Sequence, residues 1–293
     1  MKIPIAVSLI FFSLCLKAQI HSDYQLKKLL ENTLPFQSIT FAGIDSAFYY
    51  LHQNEKNSKI IKFDPAKSAE YDYYTTEDQL NSFAVVPKNG GLLLLPSEKA
   101  PYYLNDSRKS VFRKLAQREI NAKEAVFNHS GNLLAIIEMN PASGERQLMT
   151  YDLKYDNLNK QFQVKGNISN LRWSGKSEFL SLTVADTGNY SSDILIVSWD
   201  ARPKAYIHSD TIRLSETEWG GFSGRFLCSG KAASGHYLLL MKTDGTLVET
   251  VAFTTYPIKN ILWTENGKKI YFSVEVNPNF YEFWFLDYSS LKE

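Results

Sequence analysis

The sequence predicts an all-β chain folded as a single β-propeller of four-stranded antiparallel blades, six in number, preceded by a short N-terminal helix. Three observations carry this. An aspartate returns at Asp64, Asp106, Asp152, Asp200 and Asp287, each closing a short apolar run, with gaps of 42, 46, 48 and 87 residues. The last gap is close to two steps, so one copy is too degraded to see. Short apolar runs alternate throughout with turns rich in Gly, Asn, Ser and Asp, the punctuation of strands and hairpins. Taking Phe41, Val85, Phe127, Trp173, Cys228 and Trp263 as equivalent gives steps of 44, 42, 46, 55 and 35 residues. A period in the forties built from short strands marks a propeller, in which each blade buries its faces only against its neighbours. Six units fit, and borders that shift by several residues leave five or seven open.

The elements follow in order. Residues 1–19 run from Met1-Lys2 through the apolar stretch Ile3 to Leu16 to Lys17-Ala18-Gln19, the charged, apolar and small-residue order of a cleavable signal peptide. The apolar core is too short to span a bilayer comfortably. Residues before Cys15 are Phe12, Ser13 and Leu14, not the small residues of a lipoprotein site, so lipid anchoring is not expected. A periplasmic or secreted address follows. Over 20–35, Leu26, Leu29, Leu30 and Leu34 fall at helical spacing, Ser22 or Asp23 can cap the start and Pro35 stops the continuation, predicting an amphipathic helix.

From there to residue 293 the pattern is that of the propeller domain. Its clearest unit runs from Ala125-Val126-Phe127 through the turn at Asn128-His129-Ser130-Gly131 to Leu133–Glu138 and Arg146–Asp152. The near-continuous apolar second strand suits burial on both faces, and Asp152 can accept hydrogen bonds from the amides of the next turn. The same grammar returns around Trp173 and Trp263, and more weakly around Phe41 and Val85. The unit holding Phe226-Leu227-Cys228 is the most irregular. Because the chain ends soon after Asp287, the last blade can borrow its outermost strand from the N-terminal segment, which closes the ring and removes unpaired sheet edges.

Phe127 to Gly131, Trp263 to Gly267 and the terminal Tyr151-Asp152-Leu153 resemble the WD40-like repeat of TolB-type propellers. That resemblance implies a periplasmic, non-catalytic scaffold that binds proteins through its end face and central funnel. Only a short segment separates the signal from the first strand, too little for the α/β domain that precedes the propeller in TolB. No Gly-x-Ser-x-Gly elbow of a serine hydrolase occurs.

Composition removes several classes. Thirty-two basic residues stand against 31 acidic ones, with no basic cluster to track a phosphate backbone, so nucleic acid is not an expected partner. Cys228 is the single cysteine beyond the signal, so no internal disulfide forms, and its apolar setting reads as a buried thiol. His21, His52, His129, His208 and His236 lie singly in different units, without the paired spacing of zinc sites. No metal and no cofactor is expected. Thr243-Asp244-Gly245-Thr246 is similar to a sialidase aspartate box but lacks its tryptophan, and reads as a hairpin turn.

The least repeat-like stretch, 215–225, reads as a glycine-rich loop between blades, with Glu216, Glu218, Trp219, Phe222 and Arg225 as candidate ligand contacts at the end face. Tyr71, Tyr73 and Tyr74, at the border of the first two units, and Tyr190, on a long hairpin tip, are further candidates, and no catalytic residue stands out. The expected function is a monomeric, exported, non-catalytic module binding a protein, peptide or glycan of the bacterial cell envelope. The alternative is a metal-dependent hydrolase or lactonase with its site in the central funnel, recognisable by three or more carboxylate or histidine side chains converging there.

Overall fold

The computed structural model describes residues 19–32, 36–42, 46–87, 90–104, 111–114, 121–140, 143–153, 157–163, 166–185, 192–200, 202–221, 224–264 and 266–291. The signal segment, Asp106, Tyr190 and Phe222 lie outside them. The described strands pair into antiparallel sheets, four of them in chain order and two completed at the outer edge by an N-terminal strand, so that five sheets have the four strands expected and one has five. The uniform set of six four-stranded blades is corrected accordingly.

Each sheet begins at the centre. The inner strands, in chain order from first to sixth sheet, are Gln37–Ala42, Leu80–Val85, Ala122–Phe127, Asn167–Trp173, Arg213–Trp219 and Ile258–Trp263. Each lies beside the next, and the last returns to the first, so the ring is closed.

Alternation within the second strands explains the seams between sheets. In the third sheet Leu134 and Ile136 pack with Leu93 and Leu95 of the second, whereas Ala135 and Ile137 pack with Leu171, Leu180 and Leu182 of the fourth. Both faces of the strand are therefore dry, as its unbroken apolar run requires. The seam that closes the ring is aromatic: Phe48, fully buried, meets the Tyr271 ring at 4.5 Å between centroids and the Phe283 ring at 5.3 Å. Burying one such side chain stabilises by about 1.5–3 kcal/mol.

The expected N-terminal helix is absent from the described residues; 20–32 are strands. Ile20–His21 adds a fifth strand to the edge of the fifth sheet, and Tyr24–Asn32 pairs antiparallel with Phe280–Leu291 as the outer strand of the sixth. The closing strand expected from the N-terminal segment is thus present. Its helix-like leucine spacing comes from a bulge between Lys28 and Leu30, which turns both Leu29 and Leu30 toward the core beside Phe36. One extra residue in a strand converts a period of two into a local three. The pairing is pinned by polar contacts: Lys28 Nζ lies 3.2 Å from the fully buried Glu282, and Tyr24 Oη donates to Glu249 of the fifth sheet at 2.9 Å. Tyr288 donates to the other oxygen of that carboxylate.

Two of the recurring aspartates cap turns. Asp64 accepts from the amide of Ala66 at 3.0 Å and Asp287 from that of Ser289 at 3.0 Å. The copy missing from the sequence pattern is Asp244, which accepts from the amide of Thr246 at 2.9 Å, a bond that holds its carboxyl below the usual range. It halves the long gap between Asp200 and Asp287.

Candidate functional site

The fifth sheet changes the reading of the site. Residues 215–219, expected in a projecting loop, belong to its inner strand, and Trp219 rather than Cys228 is the equivalent of Trp173 and Trp263. With Trp219 in place the steps from Phe41 to Trp263 become 44, 42, 46, 46 and 44 residues, so this unit is as regular as the rest. Two glutamates inside an inner strand interrupt its apolar pattern, which is why the wholly apolar Phe226-Leu227-Cys228 was the more persuasive match. Those residues form the second strand.

Every inner strand carries a register shift against its second strand, at Gln37/Thr40, Leu80/Ser82, Ala122/Glu124, Ser169/Arg172, Leu214/Thr217 and Lys259/Leu262. A bulge re-aims side chains, and here it directs them into the axis. Aligned by these shifts, the strands present three tiers to a central cavity of about 370 Å³. The tier at the bulge is Ser38, Ser82, Glu124, Asn170, Glu216 and Asn260. The next is Thr40, Ala84, Val126, Arg172, Glu218 and Leu262, and the aromatic collar beyond it is Phe41, Val85, Phe127, Trp173, Trp219 and Trp263.

In three strands the bulge residue takes a left-handed backbone: Ser38, Asn170 and Asn260 have φ of 48°, 55° and 53°. Asparagine tolerates this conformation better than most residues. Its side chain is then tied back to the neighbouring strand, Asn170 Nδ2 to Thr183 Oγ1 at 3.3 Å and Asn260 Nδ2 to Ser273 Oγ at 2.8 Å.

The same bulges bind the glutamates of the preceding sheet. Glu124 Oε1 accepts from the amide of Leu171 at 2.7 Å, and Glu216 Oε2 accepts from the amide of Asn260. Each carboxylate thus clamps one inner strand to the next. Arg172 joins the arc. Its Nε donates to Glu218 Oε2 at 3.1 Å, and its Nη1 lies 3.4 Å from Glu124 Oε1 while donating to the Leu171 carbonyl at 2.8 Å.

Burial raises the carboxyl groups of Glu124 and Glu216 above their ordinary range, opposed chiefly by Arg172 and then by the bulge amides. Glu218, 16% exposed, is pushed up by burial to about 7, again with Arg172 opposing. Arg172 itself loses favour by desolvation, and Glu218, Glu124 and Glu216 more than offset that to keep it cationic.

Two of the collar tryptophans are tied to the sheet before them. Trp173 Nε1 donates to the Val126 carbonyl at 3.0 Å and Trp219 Nε1 to Ser181 Oγ at 2.8 Å, each reaching into the preceding sheet. Trp263 packs over the Gly220 turn, where a Cβ would lie 2.4 Å from its ring, so only glycine fits. Its indole nitrogen is enclosed and meets no acceptor among the described residues.

The other sequence candidates are dispersed. Trp219 is 4% exposed and so part of the collar rather than a projecting anchor, while Arg225 begins the second strand on the surface and does not border the cavity. Tyr71, Tyr73 and Tyr74 lie on Ala69–Thr76, the outer strand of the first sheet. Tyr71 is 48% exposed there, whereas Tyr73 donates to the Gly90 carbonyl at 2.9 Å and packs edge-on to Tyr49. Among the candidates, the structure brings together Glu216, Glu218 and Trp219. The residues that complete their site, Glu124, Asn170, Arg172 and Asn260, were not singled out. The signal available was position: each lies one or three residues before an aromatic anchor of a repeat already aligned.

A closed ring of antiparallel sheets around a polar channel defines the class: a β-propeller. No protein-family model matches the chain, and no curated relative does. Among solved structures it is similar to TolB from Acinetobacter baumannii, at a TM-score of 0.60 and 15% identity over 78% of this chain and 57% of that one. The gluconolactonase XC5397 from Xanthomonas campestris gives a TM-score of 0.61 at 10% identity, covering 92% and 89%. The Cps50 (Swd1) propeller domain of Myceliophteria thermophila gives 0.62 at 13%, covering 85% and 83%. Identities this low establish the fold alone, and the chain spans little more than half the length of the TolB it matches.

Proposed function

We propose that this protein is an exported module of the bacterial cell envelope that binds a protein, peptide or glycan at the mouth of its central channel without altering it. The observation that carries this reading is how the channel's carboxylates are used. Glu124 and Glu216 accept backbone amides and Glu218 accepts from Arg172, so the acidic residues hold the wall in shape around an open cavity. Among the described residues, no group of three or more His, Cys, Asp or Glu side chains has the spacing to hold a metal ion. The aromatic collar adds flat apolar surface of the sort binding sites favour. No helix of the described residues is long and apolar enough to cross a membrane.

A second reading, a metal-dependent hydrolase or lactonase, draws on the convergence of Glu124, Glu216 and Glu218 on one guanidinium. One experiment separates the two. The protein lacking residues 1–19 is crosslinked in envelope extracts of its own cells, alongside Glu218→Lys, which fills the channel, and both are assayed for lactone hydrolysis with added divalent ions. A partner captured by the parent and lost from a folded variant supports binding. Capture indifferent to the substitution, or metal-dependent turnover, overturns it.

A further inference from the structure

The rim of the ring is protected at five sheets and open at one. A strand at the edge of a sheet invites pairing with another chain, and proteins blunt it by covering it, keeping it short or placing lysine or proline in it. In the sixth sheet Tyr24–Asn32 covers the edge and itself carries Lys27 and Lys28. In the fifth, Ile20 and His21 pair with Thr254 and Phe253 and Ser22 Oγ donates to the Val251 carbonyl at 2.7 Å, which leaves only a short open stretch. The outer strand of the second sheet, Val111–Lys114, has four residues and ends Arg113-Lys114. That of the third, Asn157–Gln163, contains Lys160, and that of the fourth, Pro203–Ile207, opens on Pro203-Lys204.

The first sheet has none of these devices. Its outer strand, Ala69–Thr76, is eight residues long and contains neither lysine, arginine nor proline. It pairs with Ser58–Asp64 on one side and with no described strand on the other. Its three tyrosines and two threonines are strong strand formers.

Its side chains define what it accepts. Glu70 and Asp72 lie opposite Phe63 and Ile61, which pack toward the sixth sheet, so both carboxylates share that face two residues apart. Glu70 has no cation beside it among the described residues, and partial burial raises its carboxyl. Lys59 Nζ meets Asp72 Oδ2 at 2.8 Å, yet the Asp72 side chain stays 61% exposed. Tyr71 lies between them on the other face and is exposed. Two copies of this strand laid edge to edge would set like charges against each other, which disfavours self-pairing. A strand with basic residues at alternate positions meets both carboxylates and lays the residue between them beside the Tyr71 ring.

We propose that the outer edge of the first sheet, residues 69–76, takes an added β-strand from a partner protein, an extended basic segment with lysine or arginine at every second position. Main-chain hydrogen bonds supply affinity, and Glu70 and Asp72 supply selectivity. None of these residues borders the central cavity, so this is a second binding surface, independent of the channel reading above.

Fluorescence anisotropy with labelled heptapeptides and the protein lacking residues 1–19 tests this. The peptide TKVKVKT, capped at both ends, carries the charge pattern, and TEVEVET reverses it. TKVKVKT N-methylated at its three central residues keeps the charge and loses the donors of the ladder. The expected result is saturable 1:1 binding of the basic peptide, with the acidic and the N-methylated peptides each bound about tenfold or more weakly. In the double variant Glu70→Lys, Asp72→Lys the preference inverts and the acidic peptide becomes the tighter, which a misfolded protein would not show. Hydrogen exchange with the basic peptide bound shows protection at residues 69–76. Equal binding of the N-methylated peptide, no binding of the basic one, a preference that survives the double variant, or protection confined to the channel strands overturns the proposal. A parent that sediments as a dimer while the double variant sediments as a monomer also overturns it, and assigns the edge to a second copy of the chain.

Discussion

The channel has two arcs built on one backbone. In the third, fourth and fifth sheets the tiers hold Glu124, Arg172, Glu216 and Glu218; in the sixth, first and second they hold Asn260, Ser38, Thr40, Ser82 and Ala84. Both arcs carry the same register shift at the same place in their inner strands. The bulge is therefore a property of the repeat, and the charge a property of particular copies. What differs is the consequence of each side chain. On the charged arc side chains hold their neighbours through ion pairs, whereas on the neutral arc Asn260 is tied by hydrogen bonds and Ser38, Thr40, Ser82 and Ala84 carry no charge.

The largest test of that contrast is Arg172→Met. Removing the guanidinium leaves Glu124 and Glu218 buried without their cation, and breaking such a pair costs about 2–4 kcal/mol here, somewhat below the range for fully buried pairs because Arg172 is 21% exposed. Urea unfolding monitored by circular dichroism reads it. A loss as small as that of Thr40→Val would show that the two arcs are energetically alike.

Next comes pH. Glu218 has its carboxyl raised to about 7 in the folded protein, so the folded state binds the proton more tightly than the unfolded one. Stability from this group is present below the unfolded value, near 4.5, and is lost as pH rises toward 7. Between pH 5 and 8 the parent should therefore lose stability relative to Glu218→Gln, seen as melting temperatures that diverge with pH. Parallel curves would remove the electrostatic account of Glu218.

Asn170→Ala and Asn170→Gly probe the shared backbone. A left-handed residue with a Cβ and no stabilising side chain costs about 1–2 kcal/mol, which glycine avoids, so alanine should be the worse of the two by roughly that amount. Were alanine tolerated as well as glycine, the left-handed bulge would not exist in solution. Thr40→Val, on the neutral arc, should change stability by less than about 0.5 kcal/mol, the effect of a substitution that breaks no special feature.

Cys228 sharpens the boundary between channel and seam. Fully buried in the second strand of the fifth sheet, its thiol is pushed up by burial to about 12. It should resist aromatic disulfide reagents in the folded protein and react in urea. Rapid native reaction would mean that this seam opens.

The seams were the more legible half of the molecule. Leu133–Glu138, Phe179–Val184 and Ile270–Val274 announce strands dry on both faces, and the turn at Asn128 reads from its residues: Asn128 Oδ1 accepts from the amides of Asn132 and Leu133 at 3.1 and 3.0 Å. The channel wall was less legible because a strand facing polar space on one side and a neighbouring sheet on the other loses its apolar signature, as 213–219 did. The N-terminal strand misled for a related reason: a bulged edge strand has the leucine spacing of a helix, and only its pairing with Phe280–Leu291 decides between them.

The order of strands and turns, and the copying of that unit along the chain, lay in the sequence by itself, because period-two burial and turn residues are local features that each segment carries alone. The tertiary structure decided that residues 20–32 are strands and that Glu124, Arg172, Glu216 and Glu218 meet. Strand pairing at an edge, and the meeting of side chains from different sheets around an axis, depend on partners tens or hundreds of residues away, and only closure of the ring brings them within hydrogen-bonding distance.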